Sequence, residues 1–508
     1  MQLKIQHGGG ASLNGRSEPC YLYNLKKSLC SHRLFSFIPL RKMFKLHIQQ
    51  QKILTDTTTP VGLYLRIRDR FAQACLLESS DYHGEEDSFS FIGMDPIASI
   101  SIKNHEVKCH YPDGCASADH INGLSATQHL ENFKNQFKLS ENQPSLNHPI
   151  GGLFGFSAYD AVRYYEGIEV EQNEDELGIP DICYFLFRYV IAIDHFKNES
   201  YLYELHLHNH LPKGFKSVEQ LIYSTKLPSF SFETKGDEST HLTDQAFTEI
   251  LQKGQERCFR GDVFQIVLSR RYNTPFAGDE FNVYRALRSI NPSPYLFYFD
   301  FGSFKIFGSS PEAQLVVKQG KATIHPIAGT FKRTGHDAED AALAQQLAND
   351  PKENAEHTML VDLARNDLST FGDGTKVEVY KEVQYFSHVI HLVSKVSASI
   401  DDRNALQLAA STFPAGTLSG APKVSAMHWI NQYEPVRRNA YGGAIGFLGF
   451  DNSINQAIII RSFVSKNNKL HYQAGAGVVA KSDIPSELQE VHNKLSALRQ
   501  ALKRATEL

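Results

Sequence analysis

The sequence predicts an α+β fold in which large antiparallel β-sheets pack as a sandwich and helices cover the outside. Two observations indicate this class. Runs of β-branched and aromatic residues bounded by turn residues, such as FSFIGMDPIASISI at 89–102 and YFLFRYVIAID at 184–194, are typical of strands. Helix-like patterns concentrate in the carboxyl-terminal half, where they alternate with further strands. Hydrophobic residues make up 42% of the chain, which is enough to bury a large core.

Three segments are expected along the 508 residues. The first, 1–42, is basic and contains a single acid, so we interpret it as a disordered leader or a spurious extension ahead of Met43; a transit peptide is the alternative. Residues 43–235 form a strand-rich amino-terminal domain. A polar stretch with several prolines and glycines then leads to a second domain at 240–508.

The individual elements follow from local patterns. GGLFGFSAYDAVRYYE at 151–166 is glycine-spaced and then helix-like. DQAFTEILQKGQERCFRGD predicts a helix that ends at Gly261, and VFQIVLSRRY predicts the buried strand after it. Further strands are expected at 295–301, 304–308, 313–317, 322–326, 443–450, 456–464 and 471–476. Further helices are expected at 340–366, 404–411, 422–431 and 486–505.

Charge and cysteine content exclude several classes of protein. The net charge is −4 and the pI about 6.6, so the chain lacks the basic surface of a nucleic-acid or polybasic membrane binder. Its seven cysteines contain no C-x-x-C pair, which fits reduced thiols. The apolar run 182–193 is interrupted by Arg188 and is too short to cross a bilayer. We therefore expect a cytoplasmic protein that binds neither nucleic acid nor membrane.

Two helix starts carry paired glutamates. Glu353 and Glu356 precede an apolar stripe, and the pattern recurs at Glu487 and Glu490 ahead of the last helix. Carboxylate oxygens are the ligands that Mg²⁺ prefers in proteins. The alternative is that each pair simply benefits from the helix dipole, which favours anions in a first turn.

Three other motifs suit an anionic ligand. QAGAGVV at 473–479 is a strand leading into glycines, whose amides can approach an anion closely, although a turn or bulge is the alternative. TLSGAPK at 417–423 forms either a ligand loop or a helix cap. Arg461 ends the apolar strand QAIIIR, and its guanidinium suits carboxylate binding unless it is simply solvated.

Eight motifs in chain order resemble those of the chorismate-utilising enzymes, and within that family most closely those of the anthranilate synthase large subunits. They are SPE (310–312), PIAGT (326–330), EHTMLVDLARND (356–367), HVIHLVS (388–394), TLSGAPK (417–423), YGGAIG (441–446), QAGAGVV (473–479) and ELQEVHNK (487–494). The resemblance covers residues from about 60 to 505. It implies that 240–508 is a chorismate-binding catalytic domain.

The resemblance also implies a ligand set. Glu356 and Glu490 match direct Mg²⁺ ligands, and Glu353 and Glu487 match ligands that act through water. The remaining substrate-binding positions implied are Tyr441 and Arg461 for the enolpyruvyl carboxylate, with Gly329, Thr330, Thr417, Gly475, Ala476 and Gly477 around the rest of chorismate.

The implied reaction adds ammonia at C2 of chorismate, expels the C4 hydroxyl and eliminates pyruvate to give anthranilate, the first step of tryptophan biosynthesis. Glu312 matches the general acid and His391 the base at C2, while His388 is assigned no role. Gln265 occupies the position where water-using relatives carry a lysine; an amide is no base, so ammonia is the expected nucleophile. Ala328 replaces a lysine common in aminodeoxychorismate synthases, which remain the alternative.

Regulation and partners follow from the same resemblance. LLESSD and NPSPYLFY resemble the two segments of a tryptophan feedback pocket, with Ser79, Pro294, Tyr295 and Leu296 as its residues. No glutaminase motif surrounds a cysteine, so a separate glutamine amidotransferase subunit is expected to supply ammonia within a heterotetramer. The alternative outside the enzyme class is a non-catalytic chorismate or tryptophan sensor. After PIAGT the chain reads Phe331-Lys332-Arg333-Thr334-Gly335, where relatives usually have Arg-Pro-Arg-Gly.

Overall fold

The computed structural model describes residues 42–508 except 80–87, 123–124, 141–149, 167, 169–172, 386–388 and 402–403. The interpretation of 1–42 therefore falls, apart from Lys42, outside the described residues. Residues 43–508 form one unit. The proposed division of this unit at 236–239 stays a prediction.

The amino-terminal half is dominated by strands, as its runs of β-branched and aromatic residues predict. The strands are β1 (Phe44–Ile53), β2 (Cys75–Glu78), β3 (Phe89–Lys103), β4 (Glu106–His110), β5 (Ala116–His120), β6 (Phe137–Leu139), β7 (Gly152–Ser157), β8 (Ile182–Asp194), β9 (Glu199–Leu207), β10 (Phe232–Thr234) and β11 (Ser239–Thr240). The helices are α1 (Pro60–Ile67), α2 (Ala126–Lys134) and α3 (Lys216–Ile222), with a 3₁₀ helix at Tyr159–Tyr164.

The carboxyl-terminal half mixes both classes. Its strands are β12 (Gln265–Gly278), β13 (Tyr295–Asp300), β14 (Lys305–Ser310), β15 (Ala313–Lys318), β16 (Lys321–Ile324), β17 (Ile327–Lys332), β18 (Asp373–Tyr385), β19 (Val389–Ser399), β20 (Gly420–Ala421), β21 (Ala444–Gly449), β22 (Ile454–Ile458), β23 (Ser462–Lys466) and β24 (Lys469–Val479). Its helices are α4 (Asp244–Arg260), α5 (Phe281–Ile290), α6 (Asp337–Asn349), α7 (Pro351–Ser369), α8 (Ala405–Ser411), α9 (Gly416–Ser419), α10 (Lys423–Tyr433) and α11 (Ile484–Ala505).

Capping chemistry sets the helix ends that matter for the site. Gly261 ends α4 in a left-handed conformation, as predicted. The single helix predicted at 340–366 is instead two helices, α6 and α7. Asp350 separates them, because its side chain accepts hydrogen bonds from the amides of Lys352 and Glu353, and Pro351 starts α7 where a missing amide costs nothing.

Three strands next to α7, namely β17, β18 and β19, are absent from the sequence-based prediction. β18 pairs with β19, and β19 also pairs with β17, so β19 is central in this part of the sheet. From the sequence alone, His391 could also be a structural histidine in an apolar helix; that alternative is wrong, because His391 lies on β19 opposite Thr330. A strand fixes the direction of this side chain toward the β17 bulge described below.

The strands form two arms that diverge from the β3–β8 pair. One arm runs β3, β2, β13, β14, β23, β24 and β12; the other runs β8, β7, β21, β22, β15, β16 and β19. The arms face one another across a shared core: the rings of Phe156 and Phe301 are 5.0 Å apart at their centroids. Helices α4 and α11 pack on the outside, against β12 and β24. The predicted antiparallel sandwich with outer helices is confirmed.

The chain crosses between the arms twice at one place. Residues 311–312 connect β14 to β15, and residues 459–461 connect β22 to β23. The crossings are hydrogen bonded to each other: the Ser309 amide donates to Arg461 O at 3.1 Å, and the Ile458 amide donates to Glu312 O at 3.0 Å. Arg461 has φ +48°, a left-handed conformation that is unusual for a residue with a side chain. Such backbone outliers concentrate at functional sites.

Candidate active site

Glu312 lies at the first crossing, beside Thr417. The Thr417 hydroxyl donates a hydrogen bond to Glu312 Oε1 at 3.1 Å. Burial raises the pKa of Glu312 to about 7, although the Thr417 bond and the charges of Arg461 and Lys494 act in the opposite direction. A carboxyl group with this pKa holds a proton near neutral pH and can give it to a leaving oxygen. The position and protonation of Glu312 fit the predicted general acid.

Arg461 lies at the second crossing, next to Glu312. Burial lowers the pKa of its guanidinium, and the Glu312 charge opposes that shift, so the two side chains interact electrostatically. Arg461 Nη1 also donates to Asn291 Oδ1 at 3.5 Å. The alternative of a solvated arginine at a strand end is therefore wrong: Arg461 is a partly buried cation within the site.

His391 contacts the β17 bulge. Its Nδ1 lies 2.9 Å from Gly329 O, which can only accept, so Nδ1 carries the hydrogen and Nε2 keeps the lone pair of the neutral ring. The side chain is 5% exposed. Burial and the charge of Arg461 lower the pKa of His391, which keeps the ring neutral and able to accept a proton.

Gly329 connects His391 to the first glutamate pair. The β17–β19 register shifts between Ala328 and Thr330, and Gly329 has φ +72° there. A Cβ at this position would lie 3.1 Å from Glu353 Oε2, so only glycine gives both the conformation and the space. The side chains of Ala328 and Thr330 are outside what the structure describes.

The four predicted metal-binding glutamates lie within electrostatic range of one another. Burial raises the pKa of Glu353, Glu356 and Glu487; for all three the charge of Glu490 adds to the increase. Glu487 is buried, whereas the Glu490 side chain is 49% exposed and pairs with Lys494 at 2.6 Å. The glutamates of α7 therefore interact electrostatically with Glu490 of α11, and their role as metal ligands stays a prediction.

These glutamates fit a divalent cation in chemistry. Mutual repulsion of buried carboxylates is relieved by a cation, and oxygen donors are what Mg²⁺ takes. Within the part of the chain that the structure describes, however, no three carboxylate, imidazole or thiolate side chains are gathered closely enough to enclose a metal. The four carboxylates are therefore near one another without forming an enclosed site, and Glu490 is paired with Lys494.

The Gly-Ala-Gly segment is a strand edge rather than a turn. Gly475, Ala476 and Gly477 pair with β12, and β23 pairs with β24 only as far as Tyr472. On the other side, Gly475 O accepts a hydrogen bond from Lys494 Nζ at 2.9 Å, and the Gly475 backbone also hydrogen bonds the buried Tyr441 phenol. Backbone groups of Gly477 point the same way as those of Gly475, since strand residues alternate.

Gln265 lies over this edge. It pairs with Val479, and a Cβ on Gly477 would lie 2.7 Å from its Nε2, so the glycine makes room for the amide. The residue that stands where water-using relatives carry a lysine therefore lies beside the Gly475–Gly477 edge.

The two predicted regulatory segments are neighbours in the first arm. Leu296 of β13 pairs with Glu78 of β2, and Ser79 follows directly. Leu296 is buried, while Ser79, Pro294 and Tyr295 are partly exposed. Behind them, the Glu78 carboxylate accepts hydrogen bonds from Tyr284 and Arg288, at 2.6 and 3.0–3.1 Å.

The structure adds one residue that the sequence did not single out. Lys494 connects Glu490, Gly475 and, through its charge, Glu312. It stands in the quoted motif ELQEVHNK, four residues after Glu490, so helical i, i+4 spacing was the available signal. His388 lies outside the described residues.

Comparison with known proteins gives a consistent result. The family model described as chorismate binding enzyme matches residues 73–500. Anthranilate synthase component 1 of Neisseria meningitidis serogroup C is 38% identical over 484 residues, covering 90% of this chain and 95% of that protein.

Solved structures agree with the fold. The crystal structure of anthranilate synthase component I from Streptococcus pneumoniae superposes with a TM-score of 0.72 at 32% identity, covering 88% of this chain and 99% of that one. The menaquinone-specific isochorismate synthase of Escherichia coli superposes with a TM-score of 0.69 at 18% identity, covering 91% and 95%, which shows a shared fold alone. No helix in the described residues is long and apolar enough to cross a membrane.

Proposed function

Because the chain belongs to the chorismate binding enzyme family, and within it to the anthranilate synthase component 1 proteins, we propose that it converts chorismate and ammonia to anthranilate and pyruvate, the first step of tryptophan biosynthesis. One observation supports this most directly. Arg461, a partly buried cation, lies within electrostatic range of both Glu312, whose pKa is raised so that it can hold a proton, and His391, whose pKa is lowered so that it can accept one.

Glu312 acts on the leaving group in this proposal. Its raised pKa keeps a proton available for the C4 oxygen, so that the hydroxyl leaves as water. Thr417 holds Oε1, which leaves the other carboxyl oxygen to carry the proton toward the substrate.

His391 acts on the second half-reaction. Gly329 O fixes the tautomer, and the lone pair on Nε2 accepts the C2 hydrogen as pyruvate is expelled and the ring becomes aromatic. The lowered pKa keeps His391 unprotonated before this step.

Chorismate is a dianion, and two parts of the site suit its carboxylates. Arg461 would bind the enolpyruvyl carboxylate together with Tyr441 and the outer edge of Gly475–Gly477. Glu356 and Glu490 would hold Mg²⁺, with Glu353 and Glu487 acting through water, and the bound ion would neutralise the ring carboxylate. Lys494 would then release Glu490 to the ion, and its positive charge would help to neutralise the bound carboxylates.

The nucleophile and its source are also part of the proposal. Gln265 cannot deprotonate water, which favours ammonia, whose lone pair needs no base. The name component 1 belongs to relatives that work with a second component. We propose that a glutamine amidotransferase subunit is that partner and supplies the ammonia.

Feedback inhibition by tryptophan is proposed for the surface where β2 meets β13, near Ser79 and Leu296. Its support is the antiparallel pairing of β2 with β13, which brings the two predicted segments together. Asn291, which begins the segment leading into β13, accepts a hydrogen bond from Arg461, so a bound tryptophan would act on a proposed substrate-binding residue through this contact.

The test is an omission assay on the purified chain. Chorismate, Mg²⁺ and an ammonium salt should together produce anthranilate fluorescence, and leaving out either Mg²⁺ or ammonium should abolish it. A 4-amino product that retains its enolpyruvyl group would favour the aminodeoxychorismate alternative, and chorismate binding without any turnover would favour the sensor.

A further inference from the structure

A cleft extends from Glu312 and Thr417 toward α7. We call it the Glu312 cleft. Its lining residues include Gln314, Pro326, Leu363, Asp367 and Thr412, none of which the reaction above uses. The volume that the centres of water molecules can occupy in the cleft is about 30 Å³. One water needs roughly 10–15 Å³ by this measure, so the cleft holds about two. The cleft is thus of a size to hold a short chain of water beside the proposed acid.

Gln314 gives this cleft a polar wall. Its Nε2 donates to Thr412 Oγ1 at 3.0 Å. No donor among the described residues reaches its Oε1, although the residue is 3% exposed. A buried acceptor without a partner is costly, and an ordered water is the usual remedy where space allows. Gln314 therefore indicates that the cleft is hydrated.

Asp367 gives the cleft a second acid. Its Oδ2 accepts a hydrogen bond from Lys423 Nζ at 2.8 Å. Burial raises the pKa of Asp367 to about 6; Lys423 opposes this shift, and the charge of Glu166 adds to it. Asp367 lines the cleft, and the charge of Glu166, an exposed residue, also acts on it. The groups that face Glu312 are Thr417, Arg461 and Lys494.

We propose that water in the Glu312 cleft returns a proton to Glu312 after each turnover, an inference that rests on the proposed function. Asp367 passes this proton in from the solvent side. When the C4–O bond breaks, Glu312 gives its proton to the leaving oxygen and becomes a carboxylate. A cleft water reprotonates Glu312, Asp367 replaces the proton of that water, and solvent near Glu166 reprotonates Asp367. No electrons are transferred, and one proton enters for each one lost.

The geometry explains why a separate path is useful. Arg461 and Lys494, the two cations whose charges reach Glu312, would repel an incoming proton. The Glu312 cleft reaches the same carboxyl group from α7, where the second titratable group is an acid. Asp367 thus acts through Glu312 and does not touch the substrate.

The test compares the first turnover with the later ones in the full chain. At pH 6.5 Glu312 starts protonated, so Asp367→Asn should leave the single-turnover rate, measured with enzyme in excess over chorismate, at the wild-type value. In steady state the same variant should lose about 10²-fold in kcat, the lower end of what one proton-transfer group contributes, with KM for chorismate unchanged. Added formate should restore part of the lost kcat.

Two further variants make the test decisive. Gln314→Met keeps the volume of the side chain but removes the unpartnered acceptor. Its single-turnover rate should therefore stay at the wild-type value, while its steady-state kcat should fall about threefold. Asp279→Asn removes a carboxylate that also holds a buried cation, Arg68, but far from the cleft; both rates should stay unchanged.

Equal loss in single turnover and steady state for Asp367→Asn would show a structural role and overturn the proposal. Unchanged steady-state kcat for both Asp367→Asn and Gln314→Met would overturn it as well. A wild-type chain that makes no anthranilate would instead overturn the proposed function on which this inference rests.

Discussion

Thr417 and Glu312 are joined by a hydrogen bond of 3.1 Å, although they are 105 residues apart in the sequence. The bond stabilises the ionised carboxylate and is the largest influence holding the Glu312 pKa down against burial. The protonation of the proposed acid is therefore set by a neutral neighbour as well as by the surrounding cations.

Thr417→Val should raise the Glu312 pKa further. Since Glu312 must be protonated to act, the alkaline limb of the kcat profile should move to higher pH by about 0.5–1 unit, the value of one hydrogen bond. The profile is measured at a constant concentration of free ammonia. Thr417→Ser keeps the hydroxyl and should leave the limb in place; a shift toward lower pH in Thr417→Val would contradict the assignment.

His391→Ala should separate the two half-reactions. Ammonia addition needs no base at C2, so chorismate should still be consumed, while pyruvate release should fall by about 10²–10⁴-fold. Mass spectrometry should detect an amino intermediate that retains the enolpyruvyl group. Wild-type activity in this variant would remove His391 from the mechanism.

Glu356→Gln and Glu490→Gln should act through the metal. Each removes one anionic donor, so the Mg²⁺ concentration that gives half-maximal activity should rise by about tenfold or more. Asp362→Asn is the matched control, because Asp362 lies on α7 but is exposed and pairs with Arg365. Equal Mg²⁺ dependence in the control and both glutamine variants would exclude these glutamates as metal ligands.

Ser79→Phe should reduce tryptophan inhibition without loss of activity. The larger side chain fills the space beside β13, so the half-inhibiting tryptophan concentration should rise by about tenfold, as for one lost polar contact plus a steric clash. Ser217→Phe, the same change on the exposed face of α3, is the control. A wild-type inhibition curve for Ser79→Phe would place the inhibitor elsewhere.

Strong local signals made the fold class predictable. Runs of β-branched and aromatic residues identified β3 and β8, and Gly261 identified the end of α4, because these features depend on neighbours in sequence. The break at Asp350 was missed because an apolar helical pattern continues on both sides of it. β18 and β19 were missed because their pairing is with each other and with β17, a tertiary relationship that a single sequence does not display.

The site was predicted as a set of residues, not as an arrangement. Motif resemblance identified Glu312, His391 and Arg461, yet only the structure shows that two neighbouring crossings between the arms carry Glu312 and Arg461. No role was assigned to Lys494 from the sequence. Its side chain is held by a hydrogen bond to Gly475 O on the unpaired edge of β24, and only the structure shows that contact. The Glu312 cleft depends on α7 packing beside β16 and β17, and it has no signature in the sequence.

The central claim is that one chain aminates chorismate and then expels pyruvate, and product stoichiometry tests it most directly. Purified wild-type protein is given chorismate, Mg²⁺ and ¹⁵N-labelled ammonium, and the products are counted by mass spectrometry. The account predicts one pyruvate for each ¹⁵N-labelled anthranilate, with chorismate consumed in the same amount. Labelled product without pyruvate, or pyruvate without nitrogen incorporation, would contradict it.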